Sequence, residues 1–191
     1  MNDPITVGFG MCGSFCTFSR VLPQISHLRQ AGYRVLPIMS PNAYTTSSRF
    51  GTAEAHRQKM EELSGNPVWH TIAEVEPIGP KKLLDILVIA PCTGNTLGKL
   101  ACGIYDTSVT LSAKSHLRNN RPLVIAVSTN DGLAASAKNI GALQNYKNVF
   151  FVPYRQDDPI KKPTSLVADM DRITDTVAAA LEGRQIQPVL L

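Results

Sequence analysis

The sequence predicts an α/β domain in which one doubly wound parallel sheet is flanked by helices, and three observations lead to it. Short β-branched or wholly apolar runs alternate with helical patterns along the whole chain. Two of those runs, Ile86 to Ala90 and Leu123 to Val127, are apolar without a break, as parallel strands covered on both faces require. With 191 residues, 43% of them hydrophobic and 18% charged, the chain suits one globular domain spanning residues 1–191 with no internal linker.

The first strand is read at Ile5 to Phe9, followed by a helix over Phe15 to Ala31 that Gly32 stops and that Pro23 should kink or break. A second strand covers Tyr33 to Met39. Thr52 caps a helix running to about Leu63, and Gly65 ends it. After the central strand, which Pro91 closes, helices are expected near Asn95 to Cys102 and Thr107 to Leu117. The strand Leu123 to Val127 leads to a helix from about Leu133 to Tyr146 and a short strand at Val149 to Val152. Thr164 is read as the N-cap of a long final helix that reaches Leu181 and stops at Gly183.

Composition removes several classes of function. The longest nearly uncharged apolar stretch, Leu83 to Ala90, contains Asp85 and is far short of the roughly 20 residues that span a bilayer. The N-terminus, Met-Asn-Asp-Pro, carries an acid where a secretion signal needs a base, so a cytoplasmic location is expected. The net charge is +4, but the only adjacent lysine pairs are Lys81-Lys82 and Lys161-Lys162, and aromatic residues are 6%, a poor match to a nucleic-acid surface. The mild positive charge instead suits an anionic small molecule. Cys12, Cys16, Cys92 and Cys102 form no C-x-x-C pair and have no His at zinc-like spacing. No metal is expected, and at least three of the four thiols should be small buried packing groups. His27 and His56 should be surface residues within helices, and His70 and His116 stand at no secure strand end, so no His is placed in a site.

Ligands of doubly wound folds sit beyond the carboxyl ends of the strands. After the first strand comes Gly8-Phe-Gly10-Met-Cys-Gly13-Ser14, a formal G-x-G-x-x-G. The dinucleotide version needs an acid at the end of the second strand, where this chain has Ser40. A hydroxyl can donate to phosphate where a carboxylate would repel it, so Ser40 favours a mononucleotide phosphate over the ribose of NAD. Gly13 permits close backbone approach, and Ser14 stands at a helix start that attracts an anion; an ordinary tight turn with a Ser cap is the other reading. After the central strand, Thr93, Asn95 and Thr96 can cap a helix while offering donors and acceptors to a planar heterocycle.

The run Ala-Pro-x-Thr-x-Asn-Thr-x-x-Lys-x-Ala-x-Gly-x-x-Asp, residues 90–106, resembles the signature of the homo-oligomeric flavin-containing Cys decarboxylase-like flavoproteins. Gly13-Ser14, Ser40, Ala43 and Asn130 fall where that family has matching residues. The resemblance covers roughly residues 5–135 and implies a Rossmann-like, flavodoxin-like fold, FMN bound between subunits, and a homo-trimer or dodecamer. It implies cofactor contacts from Gly13, Ser14, Phe15 and Ser40, then from Thr93, Gly94, Asn95 and Thr96, and from Ser128 and Thr129. It places Asp106 near the flavin or a subunit contact, helix capping being the alternative. Decarboxylating members carry a His fourteen residues before the signature Pro, where this chain has Pro77; Val127-Ser-Thr-Asn130 replaces their Pro-Ala-Met-Asn, and no Gly-rich flap with a Cys follows residue 135.

The last third, Val152 to Asp169, together with residues 11–18 and 128–133, is similar to one branch of that family. That branch is the flavoprotein component of a two-component oxidoreductase in the mother cell of spore formers, whose other, A subunit carries NADP. The resemblance implies oxidation of a small dihydropyridine dicarboxylate, with flavin or NADP taking the hydride. A non-catalytic flavin-binding or scaffold role and a divergent decarboxylase are the alternatives. Arg155, Lys161 and Lys162, on a Pro-punctuated covering loop, are the candidate cations for the substrate, with Asn130 beside them; a solvated charged loop is the other reading of this segment.

Overall fold

The computed structural model describes residues 3–191; Met1 and Asn2, which the reading of the N-terminus used, lie outside the described residues. Five strands form the parallel body: β1 (Thr6–Met11), β2 (Arg34–Met39), β3 (Ile86–Cys92), β4 (Leu123–Thr129) and β5 (Val149–Phe151). Their order is β2-β1-β3-β4-β5, so the direction of winding switches beside β1. Every residue of β1 and β3 is buried, which explains why neither shows an alternating pattern.

Among the described residues eight α-helices join or follow the strands. They are α1 (Phe18–Gln30), α2 (Pro41–Thr45), α3 (Ala53–Ser64), α4 (Ile72–Val75), α5 (Gly94–Ala101), α6 (Ser108–Leu117), α7 (Ala137–Gln144) and α8 (Ile173–Leu181). α1 packs against α3 and α8, α5 against α7, and α6 lies along β2, β3 and β4. Local chemistry sets most boundaries. Thr52, Thr93 and Thr107 accept the third-residue amide of α3, α5 and α6, and Gly65 ends α3. Pro23 does not break α1, which runs through it as a single helix. Pro lacks only the bond to Ser19, which is exposed, so water can serve that carbonyl.

The C-terminal third differs from expectation. Thr164 caps no helix; it belongs to β7 (Lys162–Ala168), which pairs antiparallel with β6 (Tyr154–Asp158) and with the end of β4 through Ser128↔Val167 and Thr129↔Leu166. Asp158 takes the amides of Ile160 and Lys161 at 3.1 and 2.9 Å, folding a hairpin there, and the Thr164 hydroxyl donates to the Asn130 carbonyl at 2.7 Å. The final helix is therefore short and begins only at Ile173. α7 likewise starts at Ala137, because residues 131–136 are taken up in turns around Asp131, whose carbonyl accepts the Ala134 and Ser136 amides. Among the described residues the sheet thus has seven strands, and its β4–β7 and β7–β6 pairings are antiparallel. No helix among the described residues is long and apolar enough to cross a membrane.

Candidate flavin site at the strand ends

The carboxyl ends of β1, β2 and β3 are tied together by backbone bonds. Cys12 N–H donates to the Pro91 carbonyl at 3.3 Å, and Ser40 N–H to the Met11 carbonyl at 3.0 Å. Two cavities open over this rim. The larger, about 730 Å³, is floored by Gly13, Ser14, Thr93, Gly94, Ser128 and Thr129, with Phe15 and Asn130 at its side. The smaller, about 300 Å³, is lined by Ser40, Asn42, Asn95, Thr96, Lys99 and Thr107. Gly13 and Thr93 line both, so the two adjoin.

The ten residues expected to hold a cofactor therefore all line this double cavity, Gly13 and Thr93 at its junction and the others in one part or the other. The Ser14 and Ser128 hydroxyls lie 2.8 Å apart in the larger part. Ser40 caps α2 by accepting Ala43 N–H at 3.3 Å in the smaller part. Thr93 Oγ1 accepts Thr96 N–H at 3.3 Å and lies 3.1 Å from Thr96 Oγ1, while the Asn95 side chain is exposed and forms no hydrogen bond among the described residues.

Gly94 must be glycine for a packing reason. A Cβ there would lie 2.6 Å from Thr129 Oγ1, 2.8 Å from Asp131 Oδ1 and 2.8 Å from Ser136 Oγ. The start of α5 is thereby pressed onto the end of β4. The Thr129 hydroxyl donates to Asp131 at 2.5 Å and holds that carboxyl below its ordinary range. Gly13 is different: a Cβ there would meet protein atoms no closer than 3.6 Å, so the chain itself leaves room for a side chain that is not present.

The remaining candidates separate. Lys162 lines the larger cavity, paired to Asp157 at 2.6 Å, and that partner raises its ammonium pKa. Arg155 lies on β6 and faces a different depression, beside Asp169 and Asp171, and Lys161 is exposed at the hairpin turn. The three are not a loop over the site; they are spread along a hairpin whose alternation sends neighbours to opposite sides. Asp106 caps nothing; it is exposed and pairs with Lys99 at 2.7 Å, which lowers its pKa. Reading the sequence missed Arg20, Arg49 and Phe50, which also line the larger cavity. No local signal marked them, because α1 and the 46–52 loop reach the rim only through the tertiary fold.

Two thiols, rather than three, are buried. Burial pushes Cys12 up to about 11 and Cys92 well above the ordinary thiol range, so both are neutral packing groups, while Cys16 and Cys102 are exposed. His56 is also buried, edge-on to Phe18 with ring centres 4.8 Å apart, which corrects its expected surface position. His70 stacks on Tyr44 at 3.6 Å, and His116 is buried with Nε2 2.9 Å from the Pro122 carbonyl.

The sequence matches the Flavoprotein family over residues 1–182. The chain belongs to the Flavoprotein family. It is 45% identical over 185 residues to the B subunit of dipicolinate synthase of Bacillus subtilis (strain 168), covering 97% of this chain and 92% of that one. The crystal structure of the B subunit of dipicolinate synthase from Bacillus halodurans C superposes with a TM-score of 0.90 at 42% identity, over 100% of this chain and 98% of the other. Burkholderia xenovorans DmrB, described in complex with FMN as a cubic protein cage for redox transfer, shares the fold at a TM-score of 0.70 and 17% identity, over 95% of this chain and 98% of its own. The family match is to a flavoprotein module, and the strand-end cavities lie where a doubly wound fold holds its ligand.

Proposed function

We propose that this chain is the FMN-binding B subunit of a dipicolinate synthase, acting with an NADP-binding A subunit to oxidise dihydrodipicolinate to dipicolinate in the mother cell during sporulation. The observation that carries the reading is the likeness to the B subunit of dipicolinate synthase at 45% identity, over 97% of this chain and 92% of the relative. The proposed assembly is a homo-trimer or a dodecamer.

The residues present suit FMN. The donor set is dense in hydroxyls and amides, Lys99 is the one charged group lining the smaller cavity, and no carboxylate lines it among the described residues. The amides of Gly94 and Asn95 open α5 and have no acceptor within it. The missing side chain at Gly13 keeps the passage between the cavities clear. We assign Gly13, Ser14 and Ser40 to the phosphate, with Phe15 beside them, and Thr93, Gly94, Asn95, Thr96, Ser128 and Thr129 to the rest of the cofactor. A flavin bound there supplies a two-electron acceptor, and the protein's part is orientation and exclusion of water.

Titration of the apo protein with FMN, FAD and NADPH in parallel tests this. Tight, saturable FMN binding with little response to the others is expected. Asn95→Ala should weaken it more than about tenfold, equivalent to roughly 1.4 kcal/mol. Gly13→Ala should weaken FMN while leaving the unfolding midpoint unchanged, since the new methyl meets protein atoms only at an ordinary contact distance of 3.6 Å. Absence of FMN binding overturns the reading.

A scaffold role for the same chain is the second reading. Among the described residues no histidine lines either cavity and burial holds the Cys12 thiol neutral, so the exposed Cys16 and the paired Lys162, Asp157 and Lys99 are the groups left for proton transfer. Purified A subunit that makes dipicolinate at full rate alone would remove the catalytic role of this chain; a slow rate restored by this chain without FMN would favour the scaffold role.

A further inference from the structure

The larger cavity holds three cations, Arg20, Arg49 and Lys162, and one carboxylate, Asp157. Lys162 and Asp157 neutralise each other at 2.6 Å. Arg20 and Arg49 pair with no carboxylate among the described residues. The cavity therefore keeps two guanidinium groups without a salt bridge, on separate segments, one in the 46–52 loop and one near the start of α1, where Arg20 also borders the depression that holds Arg155, Asp169 and Asp171.

The loop is built to present its side chain. Ser48 and Gly51 exchange backbone hydrogen bonds of 2.9 and 3.1 Å, closing a four-residue turn with Arg49 and Phe50 at its centre. Gly51 closes it at a φ of +136°, with the His56 ring 2.8 Å from where a Cβ would be, so neither the angle nor the space allows another residue. Phe50 is 46% exposed, and the Arg49 guanidinium lies 4.9 Å over its ring. A half-exposed ring with an unpaired guanidinium over one face suits a planar aromatic acid, with the guanidinium's planar fork for the carboxylate and the exposed part of the ring for the heterocycle.

We infer that Arg20 and Arg49 bind the two carboxylates of a planar heteroaromatic dicarboxylate, with Phe50 against its ring, and that they set this chain's preference for a dicarboxylate over a monocarboxylate. The inference rests on the proposed oxidation of dihydrodipicolinate for the identity of the ligand. It replaces Arg155 and Lys161, which face away from the cavity or into solvent. Guanidinium suits the task because it meets each carboxylate with two parallel hydrogen bonds, and a second fixed cation rejects any ligand that leaves it unpaired. The competing source of negative charge is the phosphate of FMN, which the proposed site places on Gly13, Ser14 and Ser40; Gly13 and Ser14 line the same cavity as both arginines, so the two anions are told apart by titration.

Calorimetric titration with dipicolinate and with picolinate, its monocarboxylate analogue, separates the sources. The wild-type protein, FMN-loaded and apo, is compared with Arg20→Gln, Arg49→Gln and, as a control, Lys161→Gln. Each arginine variant should lose about tenfold in dipicolinate affinity with FMN affinity unchanged. Picolinate should bind the wild type more weakly and respond to only one of the two substitutions, and Lys161→Gln should match the wild type. Loss of FMN affinity in both arginine variants would assign the guanidinium groups to the cofactor phosphate and overturn the inference. So would unchanged dipicolinate affinity, an effect at one arginine alone, or no dipicolinate binding by the wild type. A wild type that takes no FMN but binds dipicolinate through both arginines would overturn the cofactor assignment and leave this inference standing.

Discussion

The two walls of the larger cavity are made in different ways. One is the rim of the parallel body, where β1, β3 and β4 end in hydroxyls and amides fixed by caps and by backbone bonds between strands. The other is the 48–51 turn and the β6–β7 hairpin, which with the start of α1 bring the arginines, the Asp157–Lys162 pair and an exposed phenylalanine. Neutral donors are held rigidly where close fit to a large cofactor matters, and net charge is carried by surface segments where an anion enters. Shape and charge are thus supplied by separate parts of the chain, and substitutions on the two walls should have separable effects.

The largest effect should come from beneath the rim. His116, on α6, is 1% exposed, and burial pulls its pKa from 6.5 down to about 4. The folded protein thus keeps the ring neutral while the unfolded chain protonates it, and the unfolded state binds the extra proton between those two values. Stability is complete above pH 6.5 and falls as the pH drops toward 4, by about 3 kcal/mol from this residue. Denaturant unfolding at a series of pH values should show that slope in the wild type and a shallower one in His116→Gln, where the buried His56, its pKa also lowered by desolvation, still contributes. A slope unchanged by the substitution would move the acid sensitivity to another group.

Gly94→Ala should come next, because it strikes both stability and the site. The new Cβ meets three oxygen atoms at 2.6 to 2.8 Å, so α5 must retreat from the end of β4. Overpacking of this kind costs about 1–3 kcal/mol, and FMN affinity should fall with the unfolding midpoint. Arg49→Gln, on the opposite wall, should leave both unchanged. If Gly94→Ala keeps full FMN affinity, the cofactor does not rest on α5.

The parallel body was legible in the sequence and the charged wall was not, and the reason is physical. Strands such as Ile86–Ala90 declare themselves because burial on both faces demands an unbroken apolar run, and Thr52, Thr93 and Thr107 mark helix starts through bonds to amides three residues away. The strand-end hydroxyls could be assigned to one place because the fold class alone puts strand ends together. The segment around Thr164 carried the opposite problem. Leu166–Val–Ala168 fits a helix period as well as a strand period, and what decides it is pairing with Ser128 and Thr129, far away in the chain. Arg20 and Arg49 were invisible for the same reason, since each sits in a segment whose own pattern says only helix or loop.

The smallest effect sharpens the comparison most, because its sign is set by charge alone. Lys162 and Asp157 are both exposed and joined at 2.6 Å, and the ammonium cancels the one carboxylate in the cavity lining. Removing either changes the field at the mouth by one unit without touching the strand-end rim. Asp157→Asn releases a third cation and should tighten dipicolinate binding about two- to threefold at low salt; Lys162→Met leaves the carboxylate uncompensated and should weaken it by a similar factor. Neither should move FMN affinity or the unfolding midpoint, since surface pairs of this kind contribute little to folding. Both shifts should shrink as salt rises toward about 1 M, where the screening length falls to roughly 3 Å. Equal effects of one sign from both variants would mean that the hairpin acts through its shape, and the division between a shape-giving rim and a charge-giving wall would fail at the hairpin.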